Sequence, residues 1–323
     1  MSQTALGGVV VTSRALFVAS TGGHLEELHV LEPGLLAAGQ SAEWVTFESP
    51  QSRALLAGEP AVHYIPRVGS RGYRQLARSV LPAVRTLRRV HPDVVYSTGA
   101  GIALAYLPLA WLAGARARYI ESAARTDGPS LTGRLLSLLP WVGLGTQYRD
   151  WAGGRWHYAG SVFDGYVARR IEHPRPIRRI LVGLGTQEGF PFVRLVDRLR
   201  EIIPDGVETR WQVGPDFPTE LRPPGAVELL NRDQLTEWSR ECDVAVTHAG
   251  VGSALAVLET GRAPVLVPRS ARLREHVDDH QWLFAEELSR RGIAVAAAAD
   301  KLTWEHLVRA SATAIEHCAA TSS

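Results

Sequence analysis

At 323 residues, 46% of them hydrophobic, the chain is long for one domain and comfortable for two. A formal net charge of +2 lacks the strongly basic balance that nucleic-acid binding needs, so no nucleic-acid partner is expected. Two cysteines, Cys242 and Cys318, offer neither a disulfide framework nor a metal-ligand cluster, which fits a reducing cytosol.

Strand-like apolar runs alternate with helix-like segments along the whole chain, the pattern of parallel α/β sheets. Strands are predicted at Ala15–Ala19, Glu43–Phe47, Val62–Ile65, Asp93–Ser97 and Arg118–Glu121. A second set follows at Arg179–Gly183, Thr209–Val213, Val244–Thr247, Pro264–Val267 and Ala294–Ala297, with helices such as Phe192–Ile203 and His276–Arg291 between them. The periodicity breaks at Ile171–Arg178, where Pro174 and Pro176 stand among clustered charges; this divides the chain into residues 1–170 and 171–323. A further helix is expected from Leu302 onward. The first residues carry no basic region followed by an apolar core, and no apolar run reaches the ~18 residues that would span a bilayer. A cytoplasmic protein is expected.

Several strands run into glycine-rich turns. The first ends in Ser20-Thr21-Gly22-Gly23-His24, and the fourth in Ser97-Thr98-Gly99-Ala100-Gly101. Glu121 ends the fifth, at the carboxyl edge where open α/β sheets place ligands. The second half opens with Gly183-Leu184-Gly185-Thr186-Gln187-Glu188-Gly189, which is not the dinucleotide fingerprint G-x-G-x-x-G. Most informative is Thr247–Gln281, where a strand meets a turn with His248, Gly250 and Gly252 before Ser253 opens a helix. Amides of an uncapped first turn attract phosphate, and absent side chains let a diphosphate come close. Glu259, six residues beyond Ser253, is placed to accept the hydroxyls of a ribose. His24 at a helix start is a candidate general base, because an unperturbed imidazole titrates near operating pH, or else a residue that caps the helix or positions phosphate; Glu26 and Glu27 read as solvated acids of the same first turn, and either could serve as base instead or orient the histidine. No Asp-x-Asp occurs, and helix dipoles with amides can neutralise a leaving diphosphate, so no essential metal and no other cofactor is expected.

The spacing of Thr247–Gln281 closely resembles the donor-binding segment of MurG-like glycosyltransferases, family 28, of the GT-B fold. The turns at Gly22–His24 and Gly99–Gly101 resemble that family's first and second glycine loops on the acceptor side, and Gly183–Gly189 with Phe192 and Arg194-Leu195-Val196 resembles its G-T-Q…F-x-R-L-V segment. Taken together, the chain resembles a fusion of the acceptor and donor subunits of the dolichol-linked chitobiose-forming N-acetylglucosaminyltransferase, and bacterial exopolysaccharide glycosyltransferases. The resemblance implies two Rossmann-like domains facing a cleft, the first binding acceptor and the second the nucleotide sugar. It implies donor contacts from Thr186, Gln187, His248, Gly250, Gly252, Ser253 and Glu259, with His280 and Gln281 reading sugar hydroxyls. Acceptor contacts would come from Gly22, Gly23, Gly99, Gly101 and Glu121, with His24 as catalytic base. The implied reaction is inverting transfer of GlcNAc, glucuronate or another hexose from a UDP-sugar to a glycoside, including polyprenyl-diphosphate-linked ones. Arg269 or Arg274 would suit a glucuronate carboxylate. A nonhydrolysing UDP-sugar epimerase shares this fold and donor pocket, and a non-catalytic sugar-nucleotide-binding subunit would share the turns. A dehydrogenase is disfavoured by the imperfect fingerprint and by Asp278-Asp279-His280-Gln281.

No acidic residue lies between Pro60 and Pro92, while Arg67, Arg71, Arg74, Arg78, Arg85, Arg88 and Arg89 do. Helical spacing puts Arg74, Arg78, Arg85 and Arg89 on one face, with Leu76, Val80, Val84 and Leu87 opposite and Pro82 interrupting. Such a face suits anionic headgroups, with Ile102–Ala115 and Leu135–Val142 either dipping into the membrane or buried as ordinary core. Peripheral contact at the inner face of the cell membrane is the corresponding expectation.

Overall fold

The computed structural model describes residues 13–66, 73–186, 188–276 and 279–318, with the side chains of residues 73–77 left aside. Two compact units emerge. The first comprises Met1–Glu121, Ser130–Gly145 and Gly154–His157; the second comprises Ser122–Pro129, Thr146–Gly153 and Tyr158–Ser323.

In the first unit, strands β1 (Arg14–Val18), β2 (Ser41–Phe47), β3 (Val62–Ile65), β4 (Val94–Ser97), β5 (Arg116–Ile120), β6 (Val142–Thr146) and β7 (Trp156–Tyr158) form one sheet in the order β3-β2-β1-β4-β5-β6-β7. The ladders from β3 through β6 are parallel. Alternation along β1 explains why the sheet needs cover on both sides. Leu16 and Val18 join one buried cluster, while Ala15, Phe17 and Ala19 join another with Trp44 from β2. Helices α1 (Gly23–Leu35), α2 (Pro50–Leu55), α3 (Tyr73–Val90), α4 (Ala100–Ala110) and α5 (Leu131–Leu136) connect the strands.

The second unit repeats the plan on a smaller scale. Strands β8 (Tyr166–Arg170), β9 (Arg179–Gly183), β10 (Glu208–Gln212), β11 (Val244–His248), β12 (Val265–Val267), β13 (Val295–Ala296) and β14 (Thr313–His317) supply a parallel five-stranded sheet, β10-β9-β11-β12-β13, and an antiparallel pair, β14-β8. Helices α6 (Val193–Ile202), α7 (Arg232–Glu241), α8 (Val251–Leu258), α9 (His280–Arg290) and α10 (Trp304–Ser311) connect or follow the strands. The ten strands expected from the sequence are all present. β6, β7, β8 and β14 were not expected: β6 carries two glycines, and β8 and β14 are largely polar. The expected final helix shortens to α10, and the chain returns as β14 beside β8. Residues 171–178 therefore link two strands of the same unit.

In both sheets the order reverses beside the first strand. β1 leads outward to β2 and β3, after which the chain starts again at β4 on the other side; β9 leads to β10 and restarts at β11. Carboxyl ends of strands at such a reversal splay their following loops apart and leave a crevice for ligand. β1–β4 and β9–β11 are those pairs here.

α3 runs through Pro82. Arg78, Arg85, Arg88 and Arg89 are exposed, and Ser79, Ala83, Thr86, Leu87 and Val90 are buried. Val80, expected on the apolar side, is exposed beside Leu81, because the stripe facing the sheet and α4 runs through Ala83, Leu87 and Val90. Arg67 and Arg71 lie outside the described residues. α4 is a buried helix through Ala110, but the turn after it exposes Trp111 and Leu112, and Trp141 lies 5.8 Å from Trp111. Among the described residues no helix is long and apolar enough to cross a membrane.

Trp44 carries much of the first core: it is fully buried and stacks on Phe17 at 4.9 Å. Trp44→Ala should lower the unfolding free energy by about 3–5 kcal/mol, read as a fall in the urea midpoint at unchanged slope.

Candidate functional site

Register brings the second unit's turns together. Thr247 pairs with Gly183 and His248 with Val267, so the residues leaving β9, β11 and β12 (Gly185, His248 and Arg269) sit side by side at the carboxyl edge. The His248 ring is wedged between two glycines. A Cβ on Gly185 would meet its Cε1 at 2.5 Å, and one on Gly250 its Nε2 at 2.4 Å. Gly185 also has φ +85°, a backbone conformation that favours glycine. Gln212 from β10 clamps this turn: it accepts from the Gly185 N–H at 3.0 Å and donates to the Gly185 carbonyl at 2.7 Å. Nothing in the sequence marked Gln212; only its pairing position beside Gly183 does.

α8 begins at Val251 with Gly250 as N-cap and no capping side chain, so its first amides are open, with Gly252 and Ser253 in that turn. Glu259 lies at the other end of α8, as its C-cap, and is ion-paired with Arg232 at the start of α7. Eight residues of helix separate it from the open amides by about 12 Å, and side chains on a helix lean back toward its N-terminus. Thr186 follows Gly185 and is exposed. Gln187 and Asp278 lie outside the described residues.

Arg269, which follows Pro268 at the end of β12, is 3% exposed. It donates through Nη2 to the Leu184 carbonyl, and its guanidinium lies 5.6 Å from the Phe192 ring. Burial lowers its pKa to about 10. Burial, together with the Arg269 charge, pushes His248 down to about 3, so its imidazole is neutral and acts as a hydrogen-bonding rather than a cationic group. The β12–α9 loop is held from within. The buried Gln281 accepts from the Arg269 N–H at 3.0 Å, and Glu275 binds Arg194 in a fork at 3.0 and 2.9 Å while accepting from the Ser270 N–H. Gln281, expected to read sugar hydroxyls, thus commits its carbonyl oxygen to the loop. His280, at the start of α9, packs edge-on to His276 at 5.0 Å. His280, Arg269, Arg194, Ser270, Arg125 and Arg272 line a cavity of about 920 Å³.

The first unit gathers its own turns where β1, β4 and β5 lie side by side. Gly22 has φ +91° and donates to Gln51 Oε1 at 2.8 Å, capping α1 without a side chain of its own; Gly23 is the first residue of that helix. The His24 ring lies over Gly99, where a Cβ would meet His24 Cε1 at 2.9 Å and the Tyr119 hydroxyl at 3.4 Å. Gly99 (φ +135°) and Ala100 (φ +61°) carry two consecutive positive φ values into α4, with Gly101 next. Such strain at a non-glycine residue persists only where surrounding structure enforces it. Thr98 Oγ1 donates to the His24 carbonyl at 2.7 Å, tying the two loops.

Behind them is a buried polar network. The Tyr119 hydroxyl donates to Glu121 Oε1 at 2.8 Å, while Glu121 Oε2 accepts from the Ser130 N–H at 2.9 Å and from Ser130 Oγ at 3.1 Å. Glu121 is 1% exposed, so its carboxylate orients Tyr119 and the cap of α5 from beneath the surface. Burial and the Glu121 charge hold the Tyr119 hydroxyl well above its ordinary pKa, keeping it a proton donor. Glu26 and Glu27 are corrected from solvated acids to buried ones: Glu26 accepts from Gln51 Nε2 at 2.7 Å, and the charge of Glu27 reaches Tyr119. The sequence did not single out Tyr119, although it lies on β5 two residues before Glu121, which directly follows the strand, a spacing that puts both on the same face of extended chain. Among the described residues one group, His29, Glu32 and Glu59, brings possible metal-ligand atoms within 4.8 Å of one another.

Residues 179–316 match the glycosyltransferase family 28 C-terminal domain. A search of curated proteins gives no match. Among solved structures, MurG of Acinetobacter baumannii superposes with TM-score 0.58 at 19% identity, over 91% of this chain and 88% of that one. The glycosyltransferase SnogD from Streptomyces nogalater gives 0.56 at 22%, over 93% and 90%. The UDP co-structure of S. aureus MnaA gives 0.57 at 10%, over 87% and 90%.

The depressed His248 pKa has a stability consequence. Unfolded, this histidine takes a proton near pH 6.5; folded, it resists to about pH 3, so the contribution is present above 6.5 and lost as pH falls toward 3. The loss approaches about 1.4 kcal/mol per pH unit within that window. Urea denaturation at pH 7 and pH 5 should show the wild type losing more stability than His248→Gln; equal losses would show that the ring titrates normally.

Proposed function

We propose that the protein, whose residues 179–316 match the glycosyltransferase family 28 C-terminal domain and whose fold is the two-Rossmann GT-B fold, is a UDP-sugar-dependent transferase. In this reading it moves a sugar, with inversion, onto a hydroxyl of a glycoside, including lipid-linked ones. The observation that carries the reading is the uncapped start of α8 beside the His248 ring and the Gly185 turn. Open amides there take the diphosphate without a metal, and no other cofactor is invoked. His248 and Thr186 would contribute hydrogen bonds to the diphosphate. Glu259 would exchange Arg232 for the ribose hydroxyls, and His280 would meet the sugar.

Acceptor chemistry falls to the first unit, with residues 1–170 as the acceptor-binding part and 171–323 as the donor-binding part. His24 takes the proton of the acceptor hydroxyl as that oxygen bonds to the anomeric carbon and the bond to the UDP oxygen breaks. UDP leaves with its charge met by the α8 amides. Tyr119, whose proton is held by Glu121, would present its hydroxyl oxygen beside His24 as a hydrogen-bond acceptor for a hydroxyl of the acceptor, with the Gly22, Gly23, Gly99 and Gly101 backbone lining the approach.

UDP-release assays over a panel of UDP-sugars with glycoside acceptors test this reading. His24→Ala should lower kcat by about 10²–10⁴-fold with donor affinity nearly unchanged. Glu259→Ala should weaken UDP binding instead. Wild-type kinetics in both variants would refute the assignment, and turnover of a UDP-sugar with no acceptor would favour an epimerase.

We also place the protein at the inner face of the cell membrane. Support comes from the exposed Leu81, Trp111, Leu112, Leu131, Leu138 and Trp141 together with the exposed arginines of α3, on elements that pack against one another. The protein should co-sediment with phosphatidylglycerol vesicles and not with phosphatidylcholine vesicles, and Trp111→Ser with Leu112→Ser should release it. Binding unaffected by the double variant would remove this surface as the contact.

A further inference from the structure

Away from the glycine turns, α1 and the turn after α2 gather a set of metal-ligating atoms. His29 and Glu32 lie three residues apart on α1, a spacing that puts both side chains on one face of the helix. Glu59 comes in from a separate segment, the turn that follows α2, and one ligand atom from each of the three residues lies within 4.8 Å of the others. His29 Nδ1 is 3.7 Å from Glu32 Oε2, too far for a hydrogen bond. Contacts outside the cluster hold the residues in place. The His29 ring lies 5.8 Å from that of the fully buried Trp44. The Glu59 N–H donates to the Leu56 carbonyl at 3.1 Å, and α2 before it is fixed by its Ser49 cap and by Ser52 Oγ, which donates to the Phe47 carbonyl at 2.8 Å.

Glu32 points to an ion. It is 9% exposed, and among the described residues its carboxylate accepts no hydrogen bond and meets no lysine or arginine. Its neighbour in the cluster, Glu59, is a second acid, and burial followed by the Glu59 charge raises the Glu32 pKa to about 7. Two carboxylates this close, one of them out of water, repel each other unless a cation or a proton stands between them. One imidazole nitrogen and two carboxylate oxygens form a donor set for a first-row divalent ion, and His29 and Glu59 are exposed enough for water to complete the coordination. Calcium and magnesium favour oxygen ligands alone, so the imidazole selects for zinc and its neighbours. We propose that His29, Glu32 and Glu59 bind a zinc-class divalent cation that ties α1 to the α2–β3 turn. Gln51 of α2 already links these segments, accepting from the Gly22 N–H at 2.8 Å and donating to Glu26 at 2.7 Å. The ion adds a second tie further along α1. Its part is structural, and it does not depend on the donor and acceptor readings above.

Calorimetric titration of the EDTA-treated, dialysed full chain with zinc chloride and, separately, magnesium chloride tests this, at a pH above about 7 so that Glu32 is ionised. Zn²⁺ should fill one tight site and raise the Tm, and Mg²⁺ should do neither. Glu32→Gln and Glu59→Gln should each weaken Zn²⁺ binding by at least about 10–100-fold, the cost of losing even an outer-shell partner of a metal ligand. His173→Ala, at an exposed histidine of the second unit, should leave that affinity unchanged. Absence of tight Zn²⁺ binding in the wild type overturns the inference, as does binding that survives both glutamine substitutions. Equal affinity for Mg²⁺ also overturns it, reducing the cluster to an anionic patch. Should Glu32→Gln fail to fold, Co²⁺ in place of Zn²⁺ still decides through its visible absorption. That spectrum should be lost in His29→Gln, at a partly exposed position, and an unchanged spectrum would place the ion elsewhere.

Discussion

The contact on which the second unit depends is the His248 imidazole held between the α-carbons of Gly185 and Gly250. Each glycine belongs to a turn at the end of a parallel strand, and the ring is the spacer that sets how closely those turns approach. Any side chain at either position would have to occupy the ring's place. With the ring there, the α8 amides stay open and the Gly185 turn stays locked to Gln212. The same confinement keeps the imidazole neutral, leaving Arg269 as the cation next to it. Directly beside the neutral ring, charge is therefore carried by the Arg269 guanidinium and by backbone dipoles.

The first unit uses the same device with different electrostatics. Its histidine lies over Gly99, but behind the glycine turn stand Tyr119, Glu121, Glu26 and Glu27, all buried, instead of a buried arginine. Here hydrogen bonds do the positioning: Glu121 is saturated by Tyr119 and by the cap of α5, so displacement of one partner would leave a buried charge short of donors. One Rossmann-like unit thus collects positive charge and the other collects acids and a proton-donating hydroxyl.

Much of this was legible before any coordinates. Ten strands were readable because strands buried on both faces are short apolar runs, and the glycine turns were readable because small residues cluster where a strand hands over to a helix. Strands β6, β8 and β14 escaped for the converse reason: glycines thin the first, and β8 and β14, which pair with each other, are largely polar. Glu26 and Glu27 were misread as solvated because a carboxylate in a first helical turn ordinarily faces water. Gln51, twenty-five residues later than Glu26, is what makes burial of that carboxylate tolerable.

The sequence by itself determined the alternation of elements, the turns with open amides, and the short list of titratable groups beside them, since these are set by local propensity and spacing. Only the tertiary structure decided which of those groups are neighbours and in what electrical state. Adjacency of β9, β11 and β12 puts Arg269 beside His248, and adjacency of β1, β4 and β5 puts His24 over Gly99 near Tyr119. Strand order is fixed by how the sheet packs as a whole, and burial, which sets the charge of each group, exists only once it has packed.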